Sequence, residues 1–362
     1  MKSLALVMIV KNEERCLAEC LERVKPLVDK IYITDTGSTD RTKQIAASFG
    51  AILTDYIWQQ DFAAARNFSL AQSDCDWNLV LDADEYLLEG SRKAISNFME
   101  NTQQIGVIER QDLYVEDIID GKEQIGAMYS WTTRLLPKGT TYQGRIHEQV
   151  DSKFPLVPVP LLFEHDGYLQ PGKGERNLAI LQEELAAHPE DPYLLFQIGQ
   201  TLRGLERHGE ACAYYARFYQ KVASEEGAGY RTGGIICWLY SLIEIQDYDT
   251  AFSIIKKEEK NLENHADFHF ACGILYMKAI QAETKKYIDY LPCIEKSYLK
   301  CLEIGEIPLN EGVYGCGSFK AAHNLGTWYE VSGELEKALE CYRFAAGYDY
   351  EPSIARLRQL RD

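Results

Sequence analysis

The sequence predicts a chain of two parts: an α/β domain built on a mostly parallel sheet, followed by an all-α domain. Short, nearly continuous apolar runs alternate with helical stretches through about the first 170 residues, which is the pattern of a sheet covered by helices. Beyond them the chain carries almost only helical patterning, rich in Tyr, Leu and Ala. The length of 362 residues agrees with two domains, because one core rarely grows past about 250–300 residues.

The apolar runs of the first part predict its strands. They cover residues 4–10, 30–34 and 77–81. Helical stretches lie between them, at residues 13–24, 39–49 and 62–72. This alternation predicts βαβ units with right-handed crossovers, and therefore a parallel sheet. Strand-like pieces at 105–109, 129–135 and 156–163 follow, mixed with loops, and leave the order of the remaining strands open.

The second part begins after a Pro/Gly stretch, Gln170-Pro171-Gly172, which predicts one domain at residues 1–170 and another at 171–362. A repeat follows in which Gly, Ala and Tyr are spaced 12 and 4 residues apart. Its two clear copies are Gly199, Ala211 and Tyr215, and Gly326, Ala338 and Tyr342. Antiparallel helices need small residues where they cross, so the pattern resembles the tetratricopeptide repeat, with degenerate units expected in between. Such a domain either only stabilises its neighbour or binds a partner on a concave surface, and we favour the second.

The charge and the cysteines exclude several classes of function. A net charge of −17 argues against general nucleic-acid binding and against a broad patch for anionic membranes, because both need a basic excess. Ten cysteines without a Cys-x-x-Cys pair indicate reduced thiols in a reducing compartment. The sequence shows no signal peptide and no apolar stretch of about 20 residues, so we expect a cytoplasmic protein without membrane insertion.

Asp82-Ala83-Asp84 is the first motif that indicates chemistry. It comes directly after a buried apolar run, and carboxylates at the carboxyl end of a parallel strand lie where α/β sheets bind ligands. Two carboxylates one residue apart can hold a Mg²⁺ or Mn²⁺ ion that bridges a diphosphate. Acidic triplets are also common at turns, so it is the position at a strand end that favours a metal site.

Polar residues also follow the first and second predicted strands, and Arg66 lies in the predicted helix at residues 62–72. Val10-Lys11-Asn12-Glu13-Glu14 comes straight after the first strand, and Asp35 ends the second. Ser38 is explained by capping of the next helix, whereas Asp35 is not and suits hydrogen bonding to a nucleoside. Arg66 can pair with phosphate or stack on a base.

Four motifs occur in order at suitable distances. They are Val10-Lys11-Asn12-Glu13-Glu14, Asp35-Thr36-Gly37-Ser38-Thr39-Asp40-Arg41-Thr42, Phe62-Ala63-Ala64-Ala65-Arg66-Asn67 and Leu81-Asp82-Ala83-Asp84-Glu85. Together they closely resemble the family-two glycosyltransferases with the GT-A fold, a Rossmann-like, mostly parallel sheet that binds a nucleotide sugar. Within that family the chain resembles the lipopolysaccharide-core glucosyltransferases and the bacteriocin peptide S-glycosyltransferases, and its helical tail is similar to that of the second subgroup.

The resemblance implies roles for these residues. The nucleotide-sugar set is Val10, Asn12, Glu13, Asp35, Ser38, Arg66, Asp82, Ala83 and Arg134. Within it, Glu13 and Asp35 would contact the nucleoside and Arg134 would reach the diphosphate. Asp82 would bind ribose or the metal, and Asp84 would ligate the metal, Mg²⁺ or Mn²⁺.

Two later clusters would complete the site. In Gly144-Arg145-Ile146-His147-Glu148 the resemblance puts the general base at Glu148, with His147 as the competing candidate. His165 is a third metal ligand in one interpretation and a satisfied structural histidine in the other.

The resemblance implies an inverting transfer in one displacement, from a UDP-sugar, UDP-glucose by first choice. We expect the acceptor to be a Cys, or a Ser, of a bacteriocin precursor peptide. The helical repeats would hold that peptide or pair two subunits as a homodimer. One alternative is a glucosyltransferase of the lipopolysaccharide core or another glycan. Another is a repeat adaptor whose enzyme domain is inactive. The presence of all the expected carboxylates argues against this alternative.

Overall fold

The computed structural model describes residues 2–119, 122–169, 173–222, 230–306 and 312–360. The chain divides into two compact units, Met1–Glu184 and Leu185–Asp362. The predicted boundary between residues 170 and 171 lies outside the described residues. The division into units falls inside the helix Lys173–Ala187.

The N-terminal unit alternates strands and helices up to its fourth strand and then consists mainly of strands. The strands are β1 (Leu4–Val10), β2 (Lys30–Asp35), β3 (Ile52–Asp55), β4 (Trp77–Val80), β5 (Glu85–Glu89), β6 (Ile105–Ile119), β7 (Lys122–Pro137), β8 (Thr141–Gln143), β9 (Gln149–Asp151) and β10 (Leu156–His165). The helices are α1 (Leu17–Val24), α2 (Thr42–Ser48), α3 (Phe62–Gln72) and α4 (Arg92–Met99), and α5 (Lys173–Ala187) crosses the division. Short 3₁₀ turns lie at Lys25–Leu27 and Gly167–Leu169.

The main sheet of this unit has the strand order β3-β2-β1-β4-β7-β6-β10-β5. Strands β3, β2, β1 and β4 are parallel, and Val10 lies opposite Asp35 where β1 and β2 end. The other half is mixed, because β7 is antiparallel to both β4 and β6, and β5 is antiparallel to β10. The predicted α/β fold is confirmed, and its second half is more mixed than the sequence indicated.

Strand β1 lies at the centre of the core. Leu4 and Leu6 are fully buried on the face that α1 covers. Ala5 and Val7 are buried on the opposite face, with residues of α3. Burial on both faces explains why β1 is a continuous apolar run rather than an alternating one.

The start of helix α3 agrees with the prediction because a side chain caps it, whereas the start of α2 differs because its preceding loop forms a hydrogen bond to another loop. Helix α3 has its predicted bounds because Ala64 N donates to Asp61 Oδ1 at 2.8 Å, which is an N-cap. Helix α2 begins at Thr42 rather than residue 39, because Thr39 N donates to Asn12 Oδ1 at 2.8 Å instead of joining the helix.

Strands β6 and β7 form a long antiparallel hairpin that the sequence predicted only in part. The predicted pieces at 105–109 and 129–135 lie within these strands, which extend well beyond them. On its other side β6 pairs with β10, in a register that sets Asp112 beside His165. This pairing brings residues from the poorly predicted half of the sheet close to residues of the candidate site.

The described residues of the C-terminal unit are almost entirely helical. Its helices are α6 (Pro192–Gly204), α7 (His208–Val222), α8 (Tyr230–Glu244), α9 (Tyr248–Glu258), α10 (Ala266–Ala282), α11 (Thr284–Tyr287), α12 (Leu291–Ile304), α13 (Phe319–Val331), α14 (Leu335–Ala346) and α15 (Glu351–Gln359). A 3₁₀ turn lies at Ile288–Tyr290 and a two-residue strand, β11, at Gly312–Val313. No helix in the described part of the chain is long and apolar enough to cross a membrane.

The predicted Gly and Tyr repeat marks the contact between paired helices. A Cβ at Gly199 would lie 2.6 Å from the Tyr215 ring, and a Cβ at Gly326 would lie 2.8 Å from the Tyr342 ring. Both tyrosines are buried, so only glycine admits this approach. Gly273 meets Tyr298 in the same way, at 2.6 Å, which adds a copy that the sequence did not make clear.

Candidate active site

The loops after β1 and β2 are joined by hydrogen bonds that place Val10, Asn12 and Ser38 together. The carbonyl oxygen of Val10 accepts from Thr36 N at 2.9 Å, and Asn12 N donates to Ser38 Oγ at 2.9 Å. Asn12 adopts a left-handed conformation with φ of 57°, which asparagine tolerates better than most residues. These residues therefore shape one surface at the carboxyl ends of two neighbouring strands.

Glu13 anchors the same surface to the first helix. Its amide donates to Thr42 Oγ1 at 2.8 Å, and its carbonyl accepts from Leu17 N at 2.9 Å. Its carboxylate accepts from Cys16 Sγ at 3.2 Å. The sequence interpretation of this residue as a nucleoside contact stays a prediction.

Asp35 has one satisfied and one unsatisfied oxygen. The residue is 1% exposed, and its Oδ1 accepts from Gly37 N and Ser38 N, each at 2.9 Å. Its Oδ2 is buried and has no hydrogen-bond partner among the described residues. A buried carboxylate oxygen without a partner is costly, so its retention at a strand end suits an acceptor for a ligand N–H group.

Asp82 lies between two buried arginines. Arg66 Nη2 donates to Asp82 Oδ1 and Arg134 Nη2 donates to Asp82 Oδ2, each at 2.7 Å. Burial opposes ionisation of Asp82, but the charges of Arg66 and Arg134 outweigh it and hold the pKa of this carboxyl well below its ordinary value. Both oxygens of Asp82 therefore face cations of the protein itself.

The two arginines extend this pairing on both sides. Arg66 Nε donates to Glu148, and Arg134 Nη2 donates to the fully buried Glu85. Arg110 pairs with two carboxylates. Its Nη1 lies 3.1 Å from Glu85 Oε1, and its Nε lies 2.8 Å from Asp112 Oδ1. We call this alternating set the charged row; its members are Glu148, Arg66, Asp82, Arg134, Glu85, Arg110, Asp112 and His165.

The charged row still offers donors to an anion. Arg66 and Arg134 are each 5% exposed, and Arg66 Nη1 and Arg134 Nε have no hydrogen-bond partner in the described ranges. The Arg66 guanidinium also lies 5.8 Å from the centre of the Tyr142 ring, a cation–π distance. Unsatisfied guanidinium donors suit the oxygens of a phosphate.

Asp84 and His165 meet at the opposite end of the charged row. His165 Nε2 lies 3.7 Å from Asp84 Oδ1, and both side chains are largely buried. Ala83, between the two aspartates, is 4% exposed and packs into the core. Gly167 lies beside the pair, because a Cβ there would be 2.3 Å from His165 Nε2 and 2.6 Å from Asp84 Oδ2.

A carboxylate oxygen and an imidazole nitrogen that share a gap fit two ligands of a divalent cation. The gap at Gly167 is the observation that supports this fit. Within the described residues, no three His, Cys, Asp or Glu side chains form a complete ligand set. The predicted trio of Asp82, Asp84 and His165 is therefore split, with Asp84 and His165 together and Asp82 held by arginines. Asp82 as a metal ligand stays a prediction.

The two candidate bases lie in the turn between β8 and β9. Glu148 contacts Arg66 Nε and thereby lies one guanidinium away from Asp82. His147 has a left-handed backbone with φ of 51°, an uncommon conformation that is often found at functional sites. Burial lowers the pKa of His147, and the neighbouring Glu148 only partly opposes this, so the imidazole is neutral at neutral pH.

Four site residues were missed by the sequence interpretation: Glu85, Arg110, Asp112 and Gly167. Glu85 directly follows the acidic triplet and could have been found there. Asp112 reaches the site only through the pairing of β6 with β10, and no sequence motif reports that register. Gly167 is identified by the absence of a side chain next to Asp84, which only the structure shows.

The fold and the candidate site define an α/β domain whose candidate binding residues follow the carboxyl ends of its parallel strands. Residues 5–148, which lie within the N-terminal unit, match the family model described as Glycosyl transferase family 2.

Two relatives extend the similarity beyond this domain. The chain is 34% identical over 222 residues to a TPR repeat-containing protein of Synechococcus elongatus, covering 56% of this chain and 53% of the relative. It is 24% identical over 313 residues to the SPbeta prophage-derived glycosyltransferase SunS of Bacillus subtilis, covering 82% of this chain and 63% of the relative. The chain thus spans between 53% and 63% of the length of these curated relatives.

Among solved structures, MamA of Desulfovibrio magneticus RS-1 is similar to 51% of this chain. That match covers 89% of the MamA chain, at 18% identity and a TM-score of 0.38.

Proposed function

We propose that this chain is an inverting glycosyltransferase that moves a hexose from a UDP-sugar to a cysteine of a small precursor peptide, with Mg²⁺ or Mn²⁺ bound. UDP-glucose is our first choice of donor. The observation that carries the proposal is the site at the strand ends of a glycosyl transferase family 2 domain. There an unsatisfied acceptor, unsatisfied guanidinium donors and the pair of Asp84 and His165 lie around the ends of neighbouring strands.

The nucleoside is expected at the loops after β1 and β2. Asp35 Oδ2 would accept a base N–H, the group for which it has no partner within the described chain. Val10, Asn12, Glu13 and Ser38 would form the wall around it, since their hydrogen bonds hold the two loops together.

The diphosphate is expected between the arginines and the pair of Asp84 and His165. Arg66 Nη1 and Arg134 Nε would donate to its oxygens without giving up Asp82. Asp84 and His165 would hold the divalent cation, and Asp82 would orient the two arginines. When bound, the cation would neutralise charge that develops on the departing nucleoside diphosphate.

Proton removal from the acceptor falls to Glu148 in our proposal, with His147 as the alternative. Glu148 is joined to Asp82 through Arg66 and so lies next to the donor end of the site. A thiol has an ordinary pKa of about 8.5, so it needs less help from a base than a sugar hydroxyl does.

A peptide acceptor is our choice because helical repeats follow the catalytic domain and because the motifs resemble the peptide S-glycosyltransferases. The paired helices of the C-terminal unit would bind the peptide or a second subunit. All ten cysteines are free thiols in the structure, so we also propose a reducing, cytoplasmic location.

Mass spectrometry of peptides that contain Cys and Ser, incubated with enzyme, Mn²⁺ or Mg²⁺ and a panel of UDP-sugars, tests the proposal. A hexose on Cys that is lost with Asp84→Asn would support it. UDP release without peptide modification would move the acceptor to a glycan. No UDP-sugar turnover at all, with Asp84→Asn identical to wild type, would favour a repeat adaptor and overturn the enzyme proposal.

A further inference from the structure

Asp112 is a buried carboxylate that lies behind His165. It is 1% exposed, on β6, and its Oδ1 lies 2.7 Å from His165 Nδ1. Ser130 Oγ donates to its other oxygen at 2.8 Å, and Arg110 forms an ion pair with it at 2.8 Å. Three partners from β6, β7 and β10 therefore hold this carboxylate in one orientation.

The hydrogen bond to Asp112 determines which nitrogen of His165 carries the proton. A carboxylate only accepts, so the neutral imidazole donates from Nδ1 and keeps a lone pair on Nε2. That lone pair is on the side of Asp84, because Nε2 lies 3.7 Å from Asp84 Oδ1.

The residue beside Nε2 carries no side chain. A Cβ at residue 167 would lie 2.3 Å from His165 Nε2 and 2.6 Å from Asp84 Oδ2, so any side chain there would enter the space in front of Nε2. The three features agree: a carboxylate behind the ring, a lone pair in front of it, and a glycine beside the gap.

We infer that Asp112 is a positioning residue that fixes the tautomer and the ring orientation of His165 for binding a divalent cation together with Asp84. This inference rests on the proposed function, since it concerns the cation of that site. Carboxylates behind metal-binding histidines commonly act this way, and their removal weakens metal affinity by about 10–100-fold.

Mn²⁺ binding to the full chain in the presence of UDP, measured by electron paramagnetic resonance, tests the inference directly. Asp112→Ala is expected to weaken Mn²⁺ binding by about 10–100-fold, and Asp112→Asn, which keeps an acceptor oxygen, to recover part of that loss. Glu258→Ala is the matched control. Glu258 is 2% exposed and bound by Arg231, but it belongs to the C-terminal unit, so Mn²⁺ affinity is expected to be unchanged.

A second measurement separates positioning from general damage to the fold. Nitrogen chemical shifts of ¹⁵N-labelled histidines, recorded without metal at about pH 8.5, report the tautomer. The His165 signal is assigned by its loss in His165→Ala. Wild type and Asp112→Asn are expected to carry the proton on Nδ1, and Asp112→Ala to lose this preference.

The outcomes distinguish the two proposals. Equal Mn²⁺ affinity and an unchanged tautomer in Asp112→Ala would overturn the inference and leave the proposed function intact. Wild-type protein that binds UDP but no Mn²⁺ would overturn the metal part of the proposed function, and the inference with it.

Discussion

Replacing Gly167 by Ala tests whether the gap between Asp84 and His165 is a binding site. The backbone of Gly167 is not left-handed, so alanine brings no backbone strain, and its effect comes from the added methyl group alone. That Cβ would lie 2.3 Å from His165 Nε2, whereas ordinary van der Waals contact begins at 3.4 Å. The ring must therefore move by roughly 1 Å, and its hydrogen bond to Asp112 resists the movement.

The size of the effect follows from this displacement. Overpacking of this kind costs about 1–3 kcal/mol of unfolding free energy. Misplacement of a catalytic group by about 1 Å costs about 100-fold in rate. Gly167→Ala is therefore expected to fold, with a slightly lower melting temperature, while Mn²⁺-dependent UDP release falls by about 100-fold.

The assay measures UDP release against Mn²⁺ concentration, together with thermal unfolding. Gly204→Ala is the matched control, because in the described part of the chain its added Cβ would meet no atom within 4 Å, and its backbone is also not left-handed. Wild-type turnover and Mn²⁺ dependence in Gly167→Ala would refute the assignment of this gap to a ligand.

Three further predictions concern other parts of the chain. Asp35→Asn keeps the acceptor for the loop amides but places a donor at the buried Oδ2 position. Because a mismatched buried polar group costs about 1–3 kcal/mol, KM for the UDP-sugar should rise about 10–100-fold in initial-rate kinetics, with little change in kcat. An unchanged KM would contradict the nucleoside assignment. Gly326→Ala should lower the unfolding free energy by about 1–3 kcal/mol in urea titrations, because its Cβ would lie 2.8 Å from the buried Tyr342 ring. Gly233→Ala should not, since its Cβ would meet no atom of the described residues within 4 Å. Burial raises the pKa of Asp267 to about 6, so the folded state binds this proton more tightly than the unfolded state, and the associated stability is lost as pH rises from about 4 to about 6. Urea unfolding of Asp267→Asn at pH 5 and pH 7.5 should therefore show a smaller fall in stability than wild type, and an equal fall would be evidence against this role.

The parallel half of the sheet could be predicted because its strands are buried on both faces. That burial makes residues 4–10, 30–34 and 77–81 continuous apolar runs, and the polar residues directly after them then fall at one sheet edge. The Gly and Tyr repeat could also be predicted from the sequence, because the close contact between paired helices requires a small residue and a tyrosine at a fixed spacing.

The mixed half could not be predicted in the same way. Register between β6 and β10 depends on tertiary contacts, so the approach of Asp112 to His165 leaves no local signal. The split of the expected metal trio has the same origin, because Arg134 comes from β7 and its contact with Asp82 is set by the pairing of β7 with β4. Sequence motifs predicted the candidate residues of the site but not the partners that hold them.

The charged row has a consequence for how this domain can change by mutation. Arg66, Asp82, Arg134 and Glu85 each hold two neighbours of opposite sign, so loss of any one of them leaves buried charges unpaired. Removing one partner of a buried pair costs about 3–5 kcal/mol, a large share of the stability of a typical domain. Single substitutions at Arg66, Asp82, Arg134 or Glu85 should therefore be rejected for folding before they are tested for activity. Residues that are distant in the sequence but form an ion pair, such as Arg66 and Glu148, should therefore be substituted only together.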